Sequence, residues 1–145
     1  MQLVQKQFGA KCMKGLVQMN DNVLKGLLID PETQTITEVE VYPDENGETH
    51  LDSMYELLQC TCVDVGRNCL NFLPSSPVDD IWFDDEGNFS DNQFRFQIPG
   101  LVPLVGRALI LSYDGMGGST SHTLTAEDIK ELRRSIAWGR RYFLS

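Results

Sequence analysis

The chain has 145 residues, of which 41% are hydrophobic, and its formal net charge is −9. This length corresponds to about one domain, and the hydrophobic content argues against wholesale disorder. No apolar run approaches the roughly 20 residues that span a bilayer, and the first 20 residues lack the apolar stretch of a secretory signal. We therefore expect a cytoplasmic protein with no membrane segment.

The charge is distributed unevenly along the chain. Residues 30–91 carry 16 acidic residues and a single basic residue, Arg67, whereas the segments on either side are each net positive. Because phosphates repel an acidic surface, this middle stretch is not expected to bind nucleic acid directly. Its charge either attracts a basic partner protein or serves as a solvated face that keeps a small protein soluble.

The N-terminal part of the chain predicts a β-hairpin. Residues 1–20 show no clean periodicity and are expected to form an arm or extra strands ahead of a single domain over residues 21–145. Residues 23–30 form a β-type run, and residues 35–42 alternate between apolar and polar side chains as a half-buried strand does. Pro31 lies between the two runs and is typical of a turn.

The middle of the chain predicts a short helix followed by strands. Four apolar or aromatic residues recur at the spacing of one helix face. They are Leu51, Met54, Tyr55 and Leu58. Residues 60–66 are rich in β-branched side chains and predict a strand, and residues 81–83 with the residues after Gly87 predict a second hairpin around an acidic turn.

The C-terminal part predicts the centre of the sheet and a second helix. Residues 107–113 are the most apolar strand-like run. Thr125 precedes Glu127 and Asp128, which places a capping oxygen before two acidic side chains at the positive end of a helix dipole. The order of elements predicts a single-domain α+β fold, with a largely antiparallel sheet and with the middle and C-terminal helices on one face.

Five segments of the chain carry a resemblance to a known family. They are KGLLIDPETQTITEVEV, LDSMYELLQCTCVDVGR, DDIWFDDEGNF, LVGRALILSYDG and LTAEDIKELRRSI. In this order they resemble an uncharacterised small domain family that is found in bacteriophages and in mobile elements of bacterial genomes. The family has no assigned activity and so supplies no catalytic residues. The resemblance implies a phage or prophage setting, and therefore a protein that binds and modulates host machinery in the host cytoplasm.

Enzyme and metal chemistry have little support in the sequence. Cys60, Cys62 and Cys69 do not follow a common zinc-binding spacing, and neither histidine stands at ligand spacing from them. His50 and His122 each lie beside a Ser or Thr, but no nucleophile-elbow motif is present. We therefore predict no catalytic residue, no metal and no cofactor.

Two groups of residues are candidates for binding. An acidic stretch with one aromatic residue would contact a partner, although Asp and Gly also simply favour turns. The partner-binding candidates are Asp79, Asp80, Trp82, Asp84, Asp85 and Glu86. Residues 114–121 are rich in glycine and join a strand to a helix, so they form either a mobile loop or a ligand cradle. The ligand-binding candidates are Gly117, Gly118, Ser119, Thr120, Arg133 and Arg134.

Two functional hypotheses follow. The first is a non-enzymatic phage-type protein that counteracts or modulates a host defence protein by presenting its acidic stretch to a basic surface. The alternative is a homo-oligomer that sequesters a small nucleotide-like signal molecule between the glycine-rich loop and the two candidate arginines. An apolar segment at residues 142–144 favours a homo-oligomer, because such a terminus often packs on a sister subunit, although it can also fold back on its own domain.

Overall fold

The computed structural model describes residues 22–140. The predicted arm at residues 1–20 and the apolar segment at residues 142–144 lie outside the described residues. The elements are β1 (Leu24–Asp30), β2 (Thr35–Val41), α1 (Leu51–Leu58), β3 (Val63–Gly66), β4 (Asp80–Asp84), a 3₁₀ turn (Gly87–Phe89), β5 (Phe94–Gln97), β6 (Leu104–Val105), β7 (Ala108–Tyr113), β8 (Ser119–Thr120), α2 (Ala126–Ser135) and β9 (Ala137–Arg140).

The strands form one large and one small antiparallel sheet. The large sheet has the order β2-β1-β7-β4-β3, and β8 pairs with the end of β7. The small sheet has the order β9-β5-β6. The predicted β1–β2 hairpin is confirmed, with Leu24 opposite Val41 and Asp30 opposite Thr35. The most apolar run is confirmed as the central strand β7, which needs apolar side chains because it is covered on both sides.

The large sheet separates two apolar cores. Successive side chains of β7 point to opposite faces, so Ala108 and Ile110 lie in one core and Leu109 and Leu111 lie in the other. The first core also contains Leu132 of α2 and Phe96 of the small sheet, and we call this side the α2 face. The second core contains Met54 and Leu58 of α1, and we call this side the α1 face.

The α+β class and the mostly antiparallel sheet are confirmed, and the structure differs from expectation in where the helices lie. The sequence predicted the middle and C-terminal helices on one face, but they cover opposite faces of the large sheet. The physical reason is that β7 is apolar on both sides, so each face needs its own cover to exclude water.

The predicted hairpin around the acidic turn at residues 84–87 is wrong. β4 pairs with β3 and β7, and the chain after the turn joins the small sheet instead of returning along β4. The local cause is that the Asp84 carboxylate accepts the backbone N–H of Glu86, and the chain then continues into the 3₁₀ turn.

The start of α2 is fixed by a capping box that reaches another loop. The Thr125 hydroxyl accepts the backbone N–H of Asp128 at 3.1 Å, and the Asp128 carboxylate accepts the backbone N–H of Thr125 at 3.0 Å. The buried Asp128 carboxylate also accepts the backbone N–H and the hydroxyl of Ser75. These bonds attach α2 to the loop that precedes β4.

Candidate functional site

The solvent side of α1 carries two negative charges, of which only one favours the helix dipole. Asp52 and Glu56 are exposed and stand one turn apart, while Met54 and Leu58 are buried. Like charges at this spacing oppose a helix by about 0.2–0.5 kcal/mol, and an acidic side chain in the last turn opposes the helix dipole. The last turn of α1 contains no basic residue to compensate. Asp52 lies in the first turn, where an acidic side chain favours the helix dipole, but helix stability does not account for Glu56 in the last turn.

Acidic side chains continue beyond both ends of α1. Glu45 and Glu48 are exposed in the loop before the helix. Beyond its C-terminal end, a shallow depression of about 310 Å³ is lined by Gln59, by one carboxylate at the end of β4 and another just after it, and by an aromatic ring. We define the acidic face as Glu45, Glu48, Asp52, Glu56, Asp84, Asp85, Glu86 and the aromatic residue Phe89.

Phe89 is the apolar part of the acidic face. Its side chain is 89% exposed, at the end of the 3₁₀ turn, and it lines the same depression as Asp84 and Glu86. A large exposed aromatic ring bordered by charged groups is the arrangement of an interface anchor with a polar rim.

Two of the predicted partner-binding residues are buried, so their expected role as surface contacts is corrected. Asp79 is fully buried, and its carboxylate accepts the backbone N–H of Thr123 at 2.7 Å and the Thr123 hydroxyl. Asp80 is 3% exposed and forms an ion pair with Arg67 at 2.6 Å. Burial raises the pKa of Asp80, an effect that the Arg67 charge only partly opposes. Both carboxylates are engaged within the chain and are not available to a partner.

Trp82 is also partly buried. It packs against the core of the α1 face, and its indole N–H is buried with no hydrogen-bond partner among the described residues. The partner-binding candidates that stay at the surface are Asp84, which is half-buried, and the exposed Asp85 and Glu86.

The glycine-rich loop is folded around Asp114. The Asp114 carboxylate accepts the backbone N–H of Met116 at 2.6 Å and that of Gly118 at 3.0 Å, and these bonds hold its pKa below the ordinary value. The Asp114 carboxylate thus occupies backbone N–H donors that could otherwise bind a phosphate. Gly117, Gly118 and Ser119 nevertheless line a groove beside α1, and Thr120 lies next to them in β8.

The candidate arginines do not reach this loop, and the predicted combination is corrected. Arg133 and Arg134 belong to α2, on the opposite face of the sheet from the groove. Arg133 donates to the carbonyl of Ile36 at 3.0 Å, and Arg134 donates to Glu131 at 2.7 Å. Within one chain, the arginine that lies beside the glycine-rich loop is Arg67.

Sequence reasoning did not single out Arg67 as a ligand contact. This arginine lines the groove together with Tyr113, and its guanidinium carbon lies 4.2 Å from the centroid of the Tyr113 ring. A signal was present in the sequence, because Arg67 is the single basic residue in the acidic stretch 30–91. A lone arginine in such a stretch is well placed to pair with an acid or to bind a ligand.

Cys60, Cys62 and Cys69 are free thiols. Burial raises the pKa values of Cys60 and Cys69, which disfavours the reactive thiolate form. Across residues 22–140, no group of three or more His, Cys, Asp or Glu side chains is arranged to hold a metal ion.

Neither of the helices in the described part of the chain has the length and apolar character needed to cross a membrane. Comparisons of the chain with protein-family models, with curated proteins and with solved structures found no match.

Proposed function

We propose that this protein is a non-enzymatic binding protein whose acidic face engages a basic surface of a partner protein. The observation that carries the proposal is the combination of exposed carboxylates on α1 with an exposed aromatic ring beyond its end. In the phage setting implied by the resemblance, the partner is a host protein, and binding blocks or modulates its defence function.

The two carboxylates on α1 are close enough to act together. Asp52 and Glu56 are separated by about 6 Å along the helix axis, which is less than the Debye length of about 8 Å at physiological ionic strength. Their combined potential would steer a basic partner and raise the association rate, and this contribution would fall as salt is added.

Phe89 has a different role in the proposal. A buried aromatic anchor contributes mainly to the lifetime of a complex, and its contribution depends less on salt than that of the surrounding charges. The carboxylates and Phe89 therefore predict separable effects on association and dissociation.

The test compares two double variants of equal net charge. Asp52→Asn with Glu56→Gln removes two charges from the acidic face, whereas Glu32→Gln with Glu127→Gln removes two exposed charges from outside it. Proteins retained from a bacterial lysate by the wild-type chain are identified by mass spectrometry. The affinity of each for the three forms is then measured in 50 mM and 300 mM salt.

A partner that uses the acidic face binds the first double variant about 10-fold more weakly than the wild type in low salt, with a smaller difference in high salt. The second double variant should bind as the wild type does. Phe89→Ala should speed dissociation, and Met116→Ala, at an equally exposed residue in the glycine-rich loop, should not. Equal weakening by both double variants, or no retained protein that distinguishes them, would overturn the proposal.

A further inference from the structure

A groove lies between the N-terminal half of α1 and the glycine-rich loop. Its volume is about 220 Å³, and its apolar lining comes from Leu51, Met54 and Trp82. Arg67 and Ser119 supply polar groups. Because sites for drug-sized ligands usually measure about 300–1,000 Å³, this groove has room for one ring or a fused pair of rings.

Two contacts fix the position of the Arg67 side chain in this groove. One of its terminal nitrogens donates to the buried Asp80 carboxylate at 2.6 Å, and its guanidinium plane rests over the Tyr113 ring. An arginine side chain has five N–H donors in a rigid planar fork. The other four have no hydrogen-bond partner among residues 22–140, and the side chain is 46% exposed. Donors that are already oriented cost little entropy to engage.

The charges around the groove disfavour a phosphate. The Arg67 charge is balanced by Asp80, and the loop donors at Met116 and Gly118 already bond to Asp114. Glu48 adds a further negative charge at the groove. What remains is a set of unused N–H donors beside an apolar and aromatic lining, which suits a planar ring that carries hydrogen-bond acceptors.

We propose that this groove binds one planar heteroaromatic ring of nucleobase size, which presents two hydrogen-bond acceptors to Arg67 and packs against Trp82 and Met54. Guanine is the natural probe, because its N7 and O6 atoms accept two hydrogen bonds from one arginine. Adenine offers one acceptor and one donor along the same edge, so the donor-only fork of Arg67 should discriminate against it. This proposal does not rest on the function proposed for the acidic face, although Glu48 borders both sites.

The experiment titrates the full chain with guanosine, adenosine or inorganic phosphate while amide shifts are recorded by ¹H–¹⁵N NMR. Guanosine should shift the amides of Gly117, Gly118 and Ser119 and leave those of α2 unchanged. Adenosine should bind about 10-fold more weakly or not at all. Inorganic phosphate should leave the loop amides unchanged.

Variants then test the role of Arg67. Arg67→Lys keeps the charge and can still pair with Asp80, but it lacks the planar fork, so guanosine should bind about 10-fold more weakly. Arg134→Lys makes the same change at an exposed arginine on the opposite face and should have no effect. The titrations of the wild-type chain test the proposal even if a variant fails to fold. Absence of guanosine shifts in the loop, equal binding of adenosine, a response to phosphate alone or unchanged binding by Arg67→Lys would each overturn the proposal.

Discussion

Replacing Asp128 with alanine is expected to destabilise the protein by about 3 kcal/mol. The side chain is fully buried and its carboxylate accepts three hydrogen bonds, two from Ser75 and one from the backbone N–H of Thr125. A hydrogen bond to a charged group contributes about 1.5–3 kcal/mol when its partner would otherwise stay buried. Ser75 and Thr125 are themselves exposed, so water can reach them once the carboxylate is gone, and about 1 kcal/mol for each bond is the appropriate value.

The same bonds make the contribution of Asp128 depend on pH. Burial by itself would raise the pKa of Asp128, but the hydrogen bonds from Ser75 and Thr125 outweigh it and hold the pKa below the ordinary value. A carboxyl group with a depressed folded-state pKa stabilises the protein fully above its unfolded pKa of about 3.9. That stabilisation is lost as the pH falls through the lower folded-state value. The difference between wild type and Asp128→Ala should therefore shrink below about pH 4.

The assay is urea unfolding followed by circular dichroism at pH 7 and at pH 3. For a chain of this length, a loss of about 3 kcal/mol corresponds to a fall in melting temperature of about 6–12 °C. The matched control is Glu127→Ala, which removes an exposed acidic side chain one residue earlier in the same helical turn. Equal effects of the two substitutions at pH 7, or an Asp128→Ala effect that stays constant down to pH 3, would refute the reasoning.

Two further predictions concern the large sheet. Because burial raises the pKa of Asp80, its ionisation opposes folding, and the stability of the wild type relative to Asp80→Asn should fall as the pH rises from 3 to 7. This pH dependence is opposite in sign to that expected for Asp128. Urea unfolding of both forms at pH 3 and pH 7 measures it, and a relative stability that rises over this range would contradict the prediction. Gly26→Ala should destabilise the protein by about 1–3 kcal/mol, since an added Cβ would lie 2.9 Å from a Leu109 methyl carbon and 3.2 Å from the Ile110 carbonyl oxygen. Urea unfolding at pH 7 checks it, and wild-type stability in this variant would show that β1 and β7 can separate at little cost.

The parts of the fold that were predicted correctly depend on short-range patterns. The β1–β2 hairpin follows from alternation around a proline turn, and the start of α2 follows from Thr125 and the acidic residues just after it. Pairings between distant segments were not predicted. Trp138 of β9 lies opposite Phe96 of β5, and no local sequence pattern predicts that these two strands pair. The uniformly apolar run of β7 did indicate the central strand, but it did not indicate that the two helices cover opposite sides of it.

The candidate sites were predicted only in part, because the role of an acidic or basic side chain depends on partners that are distant in sequence. Asp79 and Asp85 look alike in an acidic stretch, yet Asp79 is buried because Thr123, 44 residues later, satisfies its carboxylate. Asp80 is likewise buried against Arg67, and that pairing brings the arginine to the groove. The carboxylates of the acidic face form no ion pair with another segment of the described chain, and this is the physical reason to seek a partner there.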